Sequence, residues 1–366
     1  MSLVQDLMDN TPAWLSVLAA DYKIKVTRDG RLASLKYDQL ESPMHVPIVQ
    51  ECRGMVVDVE ARRVLAWPYN KFWNHGEALA ATIDWRTACV QEKLDGSLMI
   101  LYWDPEDCCW SVASSGTPRA SGDFGADSSR TFREAFWDSF RWLAMELPPP
   151  SHQGTSFMFE FCAAANRIVV RHDAPRLVLH GARHVESGLE ADHRTLQDYG
   201  ALCGWEVVRS FPINTIDGCL LAAAALDPLQ AEGFVVVDAQ FNRVKIKSPR
   251  YVALHHMKGE ATPRRAIELW QSGETAELVA HFPEMAADIL PVQQKLETAA
   301  ARALADFEAH RGAPSRKEFA LAVKDAPWAA VTFRLYGLGG SPDITTAKAI
   351  MRETSLATLE RIAGVA

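Results

Sequence analysis

VQEKLDGSLMIL, residues 90–101, sets a charged pentad, Lys93-Leu94-Asp95-Gly96-Ser97, inside a segment that otherwise reads as a buried β-strand. Asp-Gly is a favoured turn pair, and a lysine beside it on a solvated edge would need no further explanation. The same residues also suit the mouth of a pocket, where Gly96 leaves room for close backbone approach. The rest of the chain has to decide between these readings.

Strand texture recurs around the pentad. LASLKY, GMVVDV, RVLAWP and WSVASS are short apolar or alternating runs bounded by turn residues, and the pattern resumes in SFMFEF, RIVVRH, RLVLHGARHV, EGFVVVD and RVKIK. TFREAFWDSFRWLAMEL, residues 131–147, has apolar residues at helical spacing before a run of prolines. There is no regular alternation of strand and helix and no GxGxxG, which argues against a dinucleotide-binding fold. After Met257 the texture becomes helical. Thr262-Pro263 is a capped start, GETAELVAHF a second helix, and a long alanine-rich helix runs to Gly312. SRKEFALAVKD, PWAAVTFRLYG and one run from about Asp343 to the end follow. The pattern predicts an α+β fold: a domain of mixed antiparallel sheets with helices over residues 1–257, then a smaller all-α domain over 258–366.

The 366 residues are 48% hydrophobic, enough for a large core and for two domains. No apolar run reaches bilayer length, and MSLVQDLMDNTPAW lacks the basic start of a signal peptide, so a cytoplasmic protein is expected. Seven scattered cysteines without a CxxC pair indicate neither a disulfide framework nor a zinc site. A net charge of −8 does not suggest generic nucleic-acid binding. Charge is nevertheless uneven: Arg243 to Arg265 holds many cations and one carboxylate, Glu260. Such a stripe is either a solvated face or a polyanion site.

Five clusters, the pentad among them, place polar residues on or beside strands: ECRGMVVD, KFWNHGE, EKLDGS, FEFCAAANRIVV, and EGFVVVD with VKIK. Each alone has a bland reading, such as an inter-strand ion pair for Glu160 or an edge device for Lys245 and Lys247. Together they supply one chemistry. A lysine nucleophile needs neighbouring cations that favour its neutral form. Attack on the α-phosphate of a nucleoside triphosphate needs more cations for the phosphates and carboxylates for a magnesium ion. Lys245 and Lys247, two apart, share one strand face. Glu160 and Glu232 are candidates for metal or ribose contacts from other strands.

The order RG, KFxNxGE, KxDGS, FEFxxxxNRIVV, EGFVV and KIKSPRYVALHH resembles the phage-type RNA ligase 1-like family of ATP-dependent ligases, within the covalent nucleotidyltransferase superfamily. The resemblance spans about residues 35–260. It implies that Lys93 takes AMP from ATP, passes it to an RNA 5′-phosphate, and that a 3′-hydroxyl then displaces AMP to form a phosphodiester. It further implies Arg53 and Lys71 near the triphosphate or RNA phosphate, and Gly96 and Glu92 at the nucleotide. Glu160 is placed at ribose or metal, Glu232 at the metal (Mg2+ or Mn2+), and Lys245 and Lys247 at the α-phosphate. Trp73 or Phe72 is assigned aromatic packing near the nucleotide.

One departure stands out. Relatives often carry a cation in a TKGS-like segment after the nucleophile strand, where this chain has Ser114-Ser115-Gly116-Thr117 with Arg119 two residues on. Either Arg119 substitutes or the contact is missing. DNA ligation and guanylyl transfer share the KxDG nucleophile, and a binding module that only grips RNA ends is the alternative of another class. No strand module of the oligonucleotide-binding type follows Lys247, and the helical C-terminus fits an RNA-substrate domain. A monomer acting in RNA repair is expected.

Overall fold

A computed structural model describes residues 1–125, 130–259 and 262–365. The chain divides into two compact units, Met1–Leu254 and His255–Ala366. Strands of the first unit are β1 (Ile24–Asp29), β2 (Leu32–Tyr37), β3 (Arg53–Asp58), β4 (Arg63–Ala66), β5 (Trp73–Asn74), β6 (Cys89–Lys93), β7 (Ser97–Asp104) and β8 (Cys109–Ser114). They continue as β9 (Thr155–Cys162), β10 (Arg176–His184), β11 (Glu206–Val207), β12 (Ser210–Phe211), β13 (Gly233–Val237) and β14 (Arg243–Lys247). They form three sheets, ordered β1-β2-β3-β4, β11-β10-β9-β7-β8 and β12-β6-β13-β14-β5. The pairings are antiparallel except β10 with β11 and β14 with β5.

The first two sheets pack face to face through Leu32, Val56 and Leu65 against Ile100, Tyr102 and Ala113. The outer face of the first sheet is closed by α1 (Leu3–Asn10), α2 (Trp14–Asp21) and α3 (Pro47–Glu51), which bury Val4, Met8, Trp14 and Ile48. That of the second is closed by α4 (Phe132–Trp142) and α5 (His193–Cys203), with Phe136 and Leu196 against Phe157, Phe159 and Phe161. Burial on both faces is why the central strands read as nearly continuous apolar runs. Each fully buried ring contributes on the order of 2–3 kcal/mol. The third sheet is covered on one face by α6 (Ile216–Ala225) through Cys219 and Ala223.

Two elements of the first unit differ from the sequence reading. RIVVRH is not a strand: residues 167–172 form a loop, in which the amides of Val169 and Val170 are bound by a buried side chain described below. The helix expected to 147 stops at Trp142, where Ala144 takes φ +52°. The chain beyond is held by Glu146, whose amide donates to Cys203 O and whose carbonyl accepts from Trp205 Nε1.

α7 (Pro249–Lys258) runs across the division between the units. In the second unit α8 (Pro263–Ser272), α9 (Thr275–His281), α10 (Ala286–His310), α11 (Arg316–Val323), α12 (Ala329–Leu338), α13 (Ile344–Arg352) and α14 (Leu356–Ala363) follow. α10 is the 25-residue axis; its Ala299, Ala300 and Ala303 are buried and let neighbouring helices approach closely. The single final run expected from Asp343 is two helices. Gln271 Nε2 donates to the carbonyls of Arg352 and Thr354, satisfying acceptors left open where α13 ends. Among the described residues no helix is long and apolar enough to cross a membrane.

Candidate active site

Register on the third sheet decides the geometry. Gly233, first residue of β13, pairs with Lys93 at the end of β6 on one side and Lys247 at the end of β14 on the other. Directly opposed residues share a face, so Lys93 and Lys247 flank the start of β13. Glu232, the residue just before it and buried, lies between them. Its Oε2 accepts from Lys93 Nζ at 2.6 Å and its Oε1 from Lys247 Nζ at 2.9 Å. Two residues along, Gln91, Val235 and Lys245 are opposed on the same face. This face closes a cavity of about 150 Å³ against Leu98, Glu160 and His180 of the second sheet and Arg53 at the start of β3.

Cations dominate that cavity. The Lys245 ammonium is pushed down to about 7 by burial and then by Arg53, Lys71, Lys93 and Lys247. Burial also pushes the Arg53 guanidinium down, and its buried Nη1 has no hydrogen-bond partner among the described residues. The Phe72 ring is shared by three of these groups: Arg53 lies 4.9 Å from its centroid, Lys245 5.0 Å and Arg243 5.7 Å. A π-face attracts cations without neutralising them, so the charge of Arg53 and Lys245 stays available for an anion, whereas Arg243 Nη2 is paired with Glu190 Oε2 at 2.8 Å. Burial pushes Glu160 up to about 7, opposed by Lys93 and reinforced by Glu232. His180, 3.5 Å from Glu160 Oε2, is pushed down to about 3 by burial and by Arg53, Arg243 and Lys93. It is therefore a neutral imidazole.

A matching family covers this constellation. The family model described as RNA ligase, of the T4 type 1 class, matches residues 51–251, more than half of the chain. The chain belongs to the RNA ligase family. It is 25% identical over 290 residues to an RNA ligase of Rhodothermus phage RM378, covering 62% of this chain and 65% of that protein. It is 25% identical over 340 residues to a candidate bifunctional polynucleotide kinase/RNA ligase of Autographa californica nuclear polyhedrosis virus, covering 85% of this chain and 46% of that one. The chain thus spans less than two thirds of the length of either curated relative. Form 2 of an archaeal ATP-dependent RNA ligase aligns with a TM-score of 0.47 at 12% identity, covering 82% of each chain.

In this RNA ligase family chain the motifs divide between cavity lining and support. Lys93, Arg53, Glu92, Glu160, Lys245 and Lys247 line the cavity, with Glu232 bound to two of its lysines. Glu92 is gripped by Arg209, at 2.8 Å to Nε and 3.0 Å to Nη2. Phe72 lines the cavity and Trp73 does not; Trp73 pairs with Val244 at the sheet edge. Lys71 stands behind, its Nζ 5.0 Å from the Tyr37 ring centroid, and acts on Lys245 through charge. Gly96 is also outside the lining. A Cβ there would fall 2.4 Å from Phe161 O, so the missing side chain admits the β9 backbone, where the sequence reading placed a nucleotide contact.

Asp95, overlooked as a working residue, organises the support. Its Oδ2 accepts from the amides of Val169 and Val170 at 2.8 and 2.7 Å, and its Oδ1 from Tyr251 Oη at 2.7 Å. Asn166 Nδ2 donates to Ser97 Oγ at 2.9 Å. The pentad, the NRIVV segment and the SPRY segment are thereby stitched together, and Lys93 is held two residues away. Asp95 was in plain view in the pentad, but its turn role masked it. Arg243 was legible too, being two residues before Lys245 on the same face. His180 carried no local signal.

Proposed function

We propose that the chain is an ATP-dependent RNA ligase joining RNA 5′-phosphate and 3′-hydroxyl ends through a covalent Lys93–AMP. The observation that carries this reading is Lys93 Nζ, 2.6 Å from Glu232 Oε2, in a cavity also walled by Arg53, Arg243, Lys245 and Lys247. Glu232 holds Nζ in place through this contact, and Nζ gives up its proton to water before it reacts. Nζ then attacks the α-phosphorus of ATP; an N–P bond forms, the α–β bridging P–O bond breaks, and pyrophosphate departs. Lys245 and Lys247, on the same strand face, meet the negative charge that builds on the α-phosphoryl oxygens. An oxygen of the RNA 5′-phosphate next attacks the lysyl-bound phosphorus, and Lys93 leaves and regains a proton. The 3′-hydroxyl finally attacks the 5′-phosphorus, forming the phosphodiester and releasing AMP.

Glu160 and Glu232 would hold a magnesium or manganese ion. Glu160 suits that role, because burial and the charge of Glu232 disfavour its anion, a cost that a divalent cation offsets. Among the described residues no group of three or more His, Cys, Asp or Glu side chains forms a metal cluster, so phosphate oxygens and water would complete the shell. The ion would neutralise charge on the triphosphate. On the same reading the helical unit contacts RNA, and the setting is RNA repair.

The test is incubation with α-labelled ATP and magnesium, followed by denaturation. Label should stay on the wild-type polypeptide and be absent from Lys93→Ala. No label on wild type, or undiminished label on Lys93→Ala, overturns the reading, and preference for GTP redirects it to capping chemistry. Sealing of 5′-phosphorylated RNA against DNA then assigns the substrate.

A further inference from the structure

One cation beside the cavity is still unassigned. Lys36 on β2 pairs with Lys25 on β1 and with Arg53 on β3, so three like charges lie in register across three adjacent strands. Directly opposed like charges destabilise a sheet. Lys36 is half-buried, and its ammonium is pushed down by burial and by Lys25 and Arg53. Among the described residues no carboxylate pairs with it; its nearest polar partner is the neutral Ser115 Oγ at 3.4 Å. Lys36, flanked by like charges on both neighbouring strands and paired only with a neutral hydroxyl, suits an external anion.

Backbone geometry brings these groups together. Register skips Gly54, which takes φ +92° as the extra residue of a β-bulge and turns Arg53 toward the cavity. A Cβ on Gly54 would come within 2.8 Å of Ser115 Cα, so glycine here lets the Ser114–Thr117 corner pack directly on β3. Ser114 Oγ accepts from the amides of Gly116 and Thr117 and locks that corner. The corner is where the sequence departs from its relatives, which often carry a cation there. Arg119 does not provide it, because its Nη2 is paired with Asp107 at 2.9 Å. Lys36 reaches the same point from the neighbouring strand.

We propose that Lys36, Arg53 and Ser115 Oγ form a phosphate subsite at the rim of the cavity, in which Lys36 supplies the cation that the Ser115 corner lacks. The ligand is a terminal phosphate, either the pyrophosphate end of a nucleoside triphosphate or the 5′-phosphate of an RNA. The inference rests on the ligase reading for its ligand class, and its test does not require Lys93 to react. Binding of inorganic pyrophosphate, and of 5′-phosphorylated against 5′-hydroxyl oligoribonucleotide, is titrated calorimetrically for wild type and Lys36→Met, which keeps an apolar stem. Weakening of pyrophosphate binding by about tenfold, as expected for a lost charge-assisted contact, assigns the triphosphate source. Loss of the preference for 5′-phosphorylated RNA, with pyrophosphate unaffected, assigns the RNA source. Thermal midpoints should be unchanged or raised, since a like-charge contact is removed. Unchanged binding of both probes overturns the proposal, as does weakened binding that tracks a fall in thermal midpoint in both Lys36→Met and Lys36→Gln.

Discussion

Replacing Asp95 tests whether the pentad is a turn or a clamp. Asp95 is 3% exposed and accepts three hydrogen bonds, from the Val169 and Val170 amides and the Tyr251 hydroxyl, all three donors being buried. Asp95→Ala strands two amides and a hydroxyl. At about 1–3 kcal/mol for each unsatisfied buried donor, with some relaxation, the loss should be about 5 kcal/mol. Asp95→Asn keeps the shape and part of the accepting capacity but exchanges charge-assisted bonds for neutral ones, for a loss of about 2–3 kcal/mol. Tyr251→Phe removes one bond and should cost about 2 kcal/mol. In Asp95→Ala/Tyr251→Phe the hydroxyl is no longer stranded, so the double variant should fall short of additivity by about 1–2 kcal/mol. Urea unfolding, read as a midpoint shift at constant slope, measures all four. Asp95→Ala within about 1 kcal/mol of wild type, or strict additivity with Tyr251→Phe, would refute the clamp. The surviving fold of Asp95→Asn should also take up labelled AMP more slowly than wild type, because Lys93 loses its anchor.

Gly96→Ala should destabilise the first unit by about 2–4 kcal/mol, since a Cβ 2.4 Å from Phe161 O can be accommodated only by moving the β9 backbone; a thermal midpoint equal to wild type would contradict this. Lys245 makes the fold sensitive to pH. With a folded value of about 7 against an unfolded 10.5, the unfolded chain binds the extra proton between those limits, and this group's contribution to stability rises with pH across that window. Glu160, raised to about 7 from 4.5, binds its proton in the folded state, so its contribution falls as pH rises from 4.5 to 7. Pyrophosphate binding at pH 8 should draw a proton onto Lys245, seen as a dependence of calorimetric heat on buffer ionisation enthalpy. That dependence should change in Lys245→Met by the proton that Lys245 takes up, and an unchanged dependence there would assign the proton elsewhere.

Much of the site was legible because its chemistry is local and periodic. Lys245 and Lys247 two apart on a strand must share a face, and the Lys93 pentad sits at a strand end where a side chain can enter a pocket. Sheet and helical regions separated cleanly because their apolar periods differ. The failures share one cause, which is long-range hydrogen bonding overriding local propensity. RIVV has the composition of a strand, yet Asp95, 74 residues earlier than Val169, takes the amides a ladder would use. Trp73 and Phe72 are adjacent, and only the pairing of β5 with β14 sends Phe72 to the cavity.

From the residues alone came the class of fold, the lysine pentad at a strand end and the pair of lysines on one strand face. Only the tertiary structure decided which carboxylate meets Lys93, because register is set by pairing of strands distant in sequence and brings Glu232 between Lys93 and Lys247. It also decided the meaning of Ser115. Sequence marked a missing cation there, whereas a bulge at Gly54 and packing of one strand corner on another bring Lys36 to the gap from 79 positions away. Neither close approach has a local signature, since each depends on the space a glycine leaves open to a partner far along the chain.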